Sequence, residues 1–145
     1  MSVPASPRAV FERLSQGISE GRWNDLADLY AADAVVEQPF VSTAPGRIEG
    51  RETIRARFAG AAGMGLSMVA RNVVVHETAD PEVIVAEFDY DITGTAGSVT
   101  AANIQVLRVR DGLIAATRDY HDHLAIARAT GGIPALVTAL SGDRA

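Results

Sequence analysis

The apolar residues of this chain change their period near Gly65, and that change limits the folds open to it. Before it, the spacing is helical. Val10, Phe11, Leu14 and Ile18 share one face behind Ser6-Pro7, an N-cap followed by a proline at the first helical position. Gly21 ends that helix. Asn24 is then placed to cap a second one carrying Leu26, Leu29 and Tyr30 on one side. A short strand over Ala34–Glu37 stops at Pro39, Gly46 and Gly50 mark a loop, and Arg51–Ala62 reads as a third helix with Ile54 and Phe58 inward. After Gly65 the alternation is two-fold. Strands are expected over Leu66–His76, Val83–Thr93, Val99–Arg110 and Leu113–His121, separated by the turn segments Asp80-Pro81, Thr93–Gly97 and Arg110-Asp111-Gly112. Leu124–Thr130 and Ile133–Leu140 close the chain as helices around Gly131-Gly132.

Helices first, an antiparallel meander next and a helical tail last argue for an α+β fold. The expected architecture is a cone-shaped, curved antiparallel sheet wrapped around the N-terminal helices, with a C-terminal helical tail and a pocket at the mouth. Neither a repeat nor an interdomain linker interrupts residues 1–145, so one domain is expected. In the strand after Val99, Ala101, Asn103, Gln105, Leu107 and Val109 face one way, and Ala102, Ile104, Val106 and Arg108 the other. Both faces have apolar character, as in a strand covered on both sides. A second copy of the chain is the expected outer cover, giving a homodimer through the convex face.

Composition removes several function classes. The formal net charge is −5 and no basic run is present, which disfavours nucleic acid and anionic membrane as partners. There is no cysteine, hence no disulfide, thiolate metal site or thiol nucleophile. The first residues hold no stretch of signal-peptide character, and a cytoplasmic location is expected. No phosphate loop or nucleophile elbow is found, and no cofactor is expected.

Three segments resemble the nuclear transport factor 2-like superfamily, which includes the ketosteroid isomerases, limonene epoxide hydrolases and SnoaL-like polyketide cyclases. They are Gly21–Leu26 leading into Leu29–Pro39, Gly46–Phe58, and Leu107–Ile114 followed by Arg118-Asp119-Tyr120. The resemblance implies the cone fold and leaves the chemistry to individual positions. The positions matching the ketosteroid isomerase base, oxyanion-hole tyrosine and protonated aspartate hold Gln38, Leu14 and Gln105, which argues against that reaction. Asp119 matches the acid of the epoxide hydrolases and is also the candidate acid/base of a cyclase. The other epoxide hydrolase positions fall on Ala86 and Phe88, with Glu87, Asp89 and Asp91 on the opposite face unless a bulge intervenes.

Read for themselves, Asp119 and His121 lie two apart on a strand and point the same way. A carboxyl group and an imidazole in one apolar cavity make an acid/base pair, with Gln38 as a third catalytic candidate that orients water or a carbonyl. Tyr30, Phe40, Phe88, Tyr90, Asn103 and Gln105 are the candidate substrate-binding residues, for a small hydrophobic molecule. His76 and His123 are expected to be exposed. A metal on Asp119, His121 and His123 is not expected, since strand geometry separates the first from the third by ~7 Å. The expected activity is isomerisation, cyclisation or epoxide hydrolysis. The alternative is a non-catalytic binding or interaction module built on the same cone.

Overall fold

The structure is a computed structural model that describes residues 3–142. Helix α1 (Pro7–Ser19) opens as its sequence requires: Ser6 Oγ accepts from the Ala9 amide at 3.1 Å, and Val10, Phe11, Leu14 and Ile18 are buried. The expected second helix is instead a 3₁₀ helix, Trp23–Leu29, with Arg22 rather than Asn24 at its N-cap position and no side-chain cap. Tyr30 is not part of it. It begins strand β1 (Tyr30–Glu37), which is longer than the expected strand and runs straight on from the 3₁₀ segment. Strand β2 (Arg47–Glu49), hidden between Gly46 and Gly50, pairs antiparallel with Val35–Glu37. Helix α2 (Arg51–Gly63) follows.

Strands β3 (Ser67–Glu77), β4 (Val83–Gly94), β5 (Gly97–Arg110) and β6 (Leu113–His121) form the expected antiparallel meander. The Asp111-Gly112 corner has positive φ at both residues (53° and 79°), the geometry of a two-residue hairpin turn. The sheet is not wholly antiparallel. Its order is β2-β1-β6-β5-β4-β3, and β1 lies parallel to β6. The curved, open sheet packs its inner face on α1, where Phe11 meets Phe88 with ring centroids 5.6 Å apart. Ile84, Ala86, Phe88, Tyr90 and Ile92 are buried along β4, as are Ala101, Asn103, Gln105, Leu107 and Val109 along β5.

The pairing of β5 with β6 contains one irregularity that decides where the chemistry goes. Val109 pairs with Ile114, yet Arg108 pairs with Ala116, so Ala115 is an extra residue in β6. A one-residue bulge reverses the alternation beyond it. Ile114 points inward, and after the bulge so do Thr117 and Asp119, while Arg118 is exposed.

Helix α3 (His123–Thr130) packs on β4 and β5, and α4 (Ile133–Leu140) follows against α3. Asp122 caps α3 by accepting from the Ala125 amide at 3.0 Å, and Gly131 ends it with φ 77°, a left-handed conformation glycine adopts without strain. The helix sits close against β4. A β-carbon at Gly94 would lie 2.3 Å from the Ala129 carbonyl oxygen, so only glycine permits the approach. Among the described residues no helix is long and apolar enough to cross a membrane.

Candidate functional site

A chamber of about 450 Å³ lies between the inner face of the sheet, α1, the 3₁₀ helix, α2 and α3. Much of its lining is apolar, including Leu14, Trp23, Val36, Ile54, Phe58 and Met68. The polar groups converge on one wall. Asp119 and His121 come from β6, Gln105 from β5, Tyr30 from β1 and Tyr90 from β4, with Gln38 and Arg57 near the rim and His123 on α3. An apolar cavity with a few convergent polar groups is the usual form of a small-molecule site.

The register of β5 and β6 creates the central arrangement. Gln105 stands opposite Asp119 and Asn103 opposite His121, so each titratable group faces an amide. Gln105 Nε2 donates to Asp119 Oδ1 at 2.8 Å. Asn103 Nδ2 donates to the Ala101 carbonyl at 2.9 Å, which turns Asn103 Oδ1 toward His121 Nδ1, 2.7 Å away. A reversed amide would set its oxygen against that carbonyl. Asn103 therefore accepts from His121, the neutral ring carries its proton on Nδ1, and Nε2 keeps the lone pair. His121 Nε2 lies 3.9 Å from Asp119 Oδ2, too far for a direct hydrogen bond.

Electrostatics favour the uncharged forms of both groups. Burial raises the Asp119 pKa above the ordinary carboxyl range, and His121, Gln105 and more distant Arg57 offset this only in part. Burial lowers His121 against the pull of Asp119. For each group burial outweighs the attraction of the opposite charge, so each is shifted toward its uncharged form. Because Gln105 Nε2 donates to Oδ1, a proton bound by Asp119 sits on Oδ2, facing His121. Burial, with Asp119 nearby, also raises Tyr30 and Tyr90, so both phenols keep their protons and can donate.

Six of the nine candidate residues line the chamber: Asp119, His121, Gln38, Tyr30, Tyr90 and Gln105. Three do not. Phe40 is 64% exposed, because the chain turns off the sheet after Pro39 and carries the ring outside to stack edge-on with Tyr120 at 5.4 Å. Phe88 is buried between Phe11 and Tyr90 rather than on the chamber wall. Asn103 reaches the chamber only through His121. All three instead border a wider cleft of about 850 Å³ that also touches Val74, Ile104 and Leu136, with His121 and His123 in the wall shared by the two cavities.

His123 departs from its expected exposure. The Asp122 cap turns the first residue of α3 back toward the sheet, its ring centroid lies 6.1 Å from that of His121, and its Nε2 is buried without a hydrogen-bond partner. Burial and then His121 push its pKa down. His76 is exposed and paired with Glu87 at 2.6 Å. Among the described residues, no three acidic or histidine side chains are grouped as a metal ion would need. Arg57 and Trp23 were not singled out from the sequence. Arg57 could have been, since Ile54, Arg57, Phe58 and Ala61 follow the i, i+3, i+4, i+7 stripe of α2 and all four line the chamber. The β4–β5 pairing runs without a shift from Val83 to Gly94, so Ala86 and Phe88 do face inward and Glu87 is exposed.

A sequence profile of the SnoaL-like domain matches residues 11–117. The chain belongs to the SnoaL-like domain family. An uncharacterised PhzA/B-like protein of Pseudomonas aeruginosa is 36% identical over 130 residues, spanning 86% of this chain and 90% of that protein. The crystal structure of a candidate isomerase from Bacillus subtilis superposes with a TM-score of 0.80 at 25% identity, covering 87% of this chain and 93% of that one. A candidate polyketide cyclase from Pseudomonas putida, at 14% identity, shares the fold with a TM-score of 0.73 and covers 87% of this chain and 98% of its own. The resemblance to the nuclear transport factor 2-like group is thus a family relationship, carried by the SnoaL-like branch. The profile match ends two residues before Asp119, so the family assignment says nothing about that carboxyl group.

Proposed function

We propose that this SnoaL-like protein is a cofactor-independent acid/base enzyme that moves a proton on a small, largely apolar carbonyl compound, in an isomerisation or cyclisation. The observation that carries this reading is the pairing of Asp119 Oδ2 with His121 Nε2 across 3.9 Å of chamber wall, with burial favouring the neutral form of each. A neutral carboxylic acid donates, and an imidazole with a free lone pair accepts. In the forward step His121 Nε2 takes a proton from carbon next to the carbonyl as Asp119 Oδ2–H protonates the carbonyl oxygen, leaving an enol. Tyr30 and Tyr90, kept as phenols, supply further donors for the developing oxyanion. Transfer of the His121 proton to a different carbon of a conjugated enol, as the enol O–H proton returns to Asp119, completes an isomerisation. Attack of the enol carbon on a second carbonyl, whose oxygen takes the His121 proton as the enol O–H proton returns to Asp119, completes a cyclisation.

Epoxide hydrolysis has less support, because Ala86 and Phe88 occupy the inward positions where that chemistry would need an arginine and a second acid. Gln38 supports orientation rather than proton transfer, since an amide does not titrate. The test is deuterium incorporation into small cyclic ketones, followed by NMR in heavy water. Asp119→Asn should slow exchange by about 10²–10⁴-fold while leaving the circular dichroism spectrum unchanged. Exchange undiminished in folded D119N, or absent in the wild type, would remove the acid/base reading and favour a binding module.

The protein also acts, we propose, as a homodimer through the convex sheet face. Exposed Val74 (50%) and Ile104 (41%) on that face, with exposed Phe40 beside them, form an apolar surface of the kind a second copy covers.

A further inference from the structure

Arg57 is the one arginine among the chamber's lining residues. It is exposed while lining the cavity, which places it at the rim. Its Nη2 donates to Gln38 Oε1 at 3.2 Å. Many surface arginines are matched with acids, among them Arg47 with Glu37 and Glu49, Arg55 with Asp28 and Glu52, Arg71 with Asp91, and Arg108 with Asp80 and Glu82, while Arg13 and Arg128, like Arg57, have no such partner among the described residues. Among the described residues no carboxylate lies within ion-pair distance of Arg57. The acid inside the chamber, Asp119, is engaged by Gln105 and stands beside His121.

The Arg57–Gln38 contact also fixes what the amide offers. Its oxygen is occupied by the guanidinium, so Gln38 presents its Nε2 hydrogens. The rim therefore holds a guanidinium and an amide whose Nε2 hydrogens are both free to donate to a ligand, so donors outnumber acceptors there. A planar group with two acceptor oxygens and a negative charge matches such a set, and guanidinium binds carboxylates of that shape in bidentate fashion. Below the rim the lining is apolar, with Trp23, Phe58 and Met68 among the contributors. A fully charged ligand would not suit that depth, and a fully apolar one would leave the rim donors unmatched. The net charge of −5 gives an anion no general attraction to this protein, so recognition has to be local.

We infer that the chamber takes an amphiphilic monocarboxylic acid, with its carboxylate held at the rim by Arg57 and Gln38 and its apolar body lying toward Asp119 and His121. This names the substrate class of the site proposed above and rests on that chamber being the binding site, but not on the proton chemistry within it.

The chain's one tryptophan, Trp23, lines the chamber and reports occupancy by its fluorescence. The probes are adamantane-1-carboxylate and adamantane-1-carboxamide, which share a body and differ in the charge of the head. The wild type should bind the carboxylate about tenfold more tightly than the amide at neutral pH and low salt. Arg57→Gln should bring that ratio close to one, and Arg57→Lys should restore part of it. Asp119→Asn should keep the preference even where it loses proton exchange, which separates failure of this inference from failure of the acid/base reading. Equal affinities in the wild type, no binding of either probe to the folded protein, or a preference that survives in R57Q would each overturn the inference.

Discussion

Replacing Asn103 by leucine should move a proton from one nitrogen of His121 to the other. In the wild type, Asn103 Oδ1 accepts from His121 Nδ1 at 2.7 Å, and the amide is held in that sense by its own bond to the Ala101 carbonyl. Leucine has nearly the same shape but no acceptor. The Nδ1 hydrogen would then be buried and unmatched, at a cost of about 1–3 kcal/mol. On the other side of the ring stands the Asp119 carboxyl group, whose Oδ2 lies 3.9 Å from Nε2 and can accept from it once its own proton has left and the ring has moved closer. The ring escapes part of the penalty by carrying its proton on Nε2, and so becomes a donor toward Asp119 instead of a base. For a chain of this length the uncompensated cost corresponds to a fall in Tm of roughly 3–9 °C. The assay is ¹⁵N NMR of the imidazole, in which a protonated and a lone-pair nitrogen resonate far apart. The wild type should show the lone pair at Nε2, and N103L should show it at Nδ1 with ketone exchange reduced in parallel. A wild-type ring protonated at Nε2, or a tautomer unchanged in N103L, would refute the reasoning. A loss of stability alone would not support it, since any buried change can cause that.

Two further outcomes follow from the same geometry. Burial raises Asp119, so the native state holds that proton more tightly than the unfolded chain, and the group's stabilising contribution is complete below the ordinary carboxyl value and lost as pH rises through the folded value. D119N should therefore gain thermal stability over the wild type as pH rises above the ordinary carboxyl value, by about 1.4 kcal/mol for each tenfold difference in proton affinity between the native and unfolded states. His121 slopes the other way, losing stability as pH falls through its lowered value, and it loses more in D119N, where Asp119 no longer opposes the lowering, so both groups make the difference between the proteins grow with pH. A difference in Tm that is flat with pH would contradict the raised value. For the dimer, Ile104→Arg places a charge in the middle of the exposed convex face and should convert the protein to monomer in sedimentation velocity, with the fold retained; a monomeric wild type or a dimeric I104R would exclude that interface.

Much of the fold could be read from residue pattern because the deciding signals are local. Ser6-Pro7 starts α1, the Asp111-Gly112 pair makes the last hairpin, and alternation along Val83–Thr93 gives a strand buried on the side of Ala86 and Phe88. What was missed depends on partners far along the chain. The three residues of β2 are too few to show a period, and become a strand only because Val35–Glu37 is there to pair with. The parallel pairing of β1 with β6 is a long-range choice for the same reason. The chemistry of Phe40 and Phe88 suits a pocket wall, but an aromatic ring is as well suited to core or surface, and these two take the surface and the core.

The candidate site shows most plainly what alternation alone can and cannot establish. That Asp119 and His121 share a face follows from their spacing on one strand. Which face it is does not, because parity counted from the Asp111-Gly112 turn gives the opposite answer. Counting inward from Ile114 by twos reaches Ala116, Arg118 and Tyr120, which would carry Asp119 to the outer surface beside Ile104. The extra residue at Ala115 reverses that count. Neither alanine at 115 or 116 announces a bulge, since a small side chain is tolerated on both sides of the sheet. The energetic preference lies farther on. An unbulged strand would bury the Arg118 guanidinium among Leu14, Trp23 and Ile54 and expose Thr117, whereas the bulged strand leaves Arg118 in solvent near Glu37 and covers the smaller hydroxyl. Burying an unpaired arginine costs several kcal/mol, more than the one ladder position a bulge gives up. The exposed charge of Arg118 thus helps to hold its neighbour Asp119 inside the chamber, and the acid's position is set by a residue that takes no part in the chemistry.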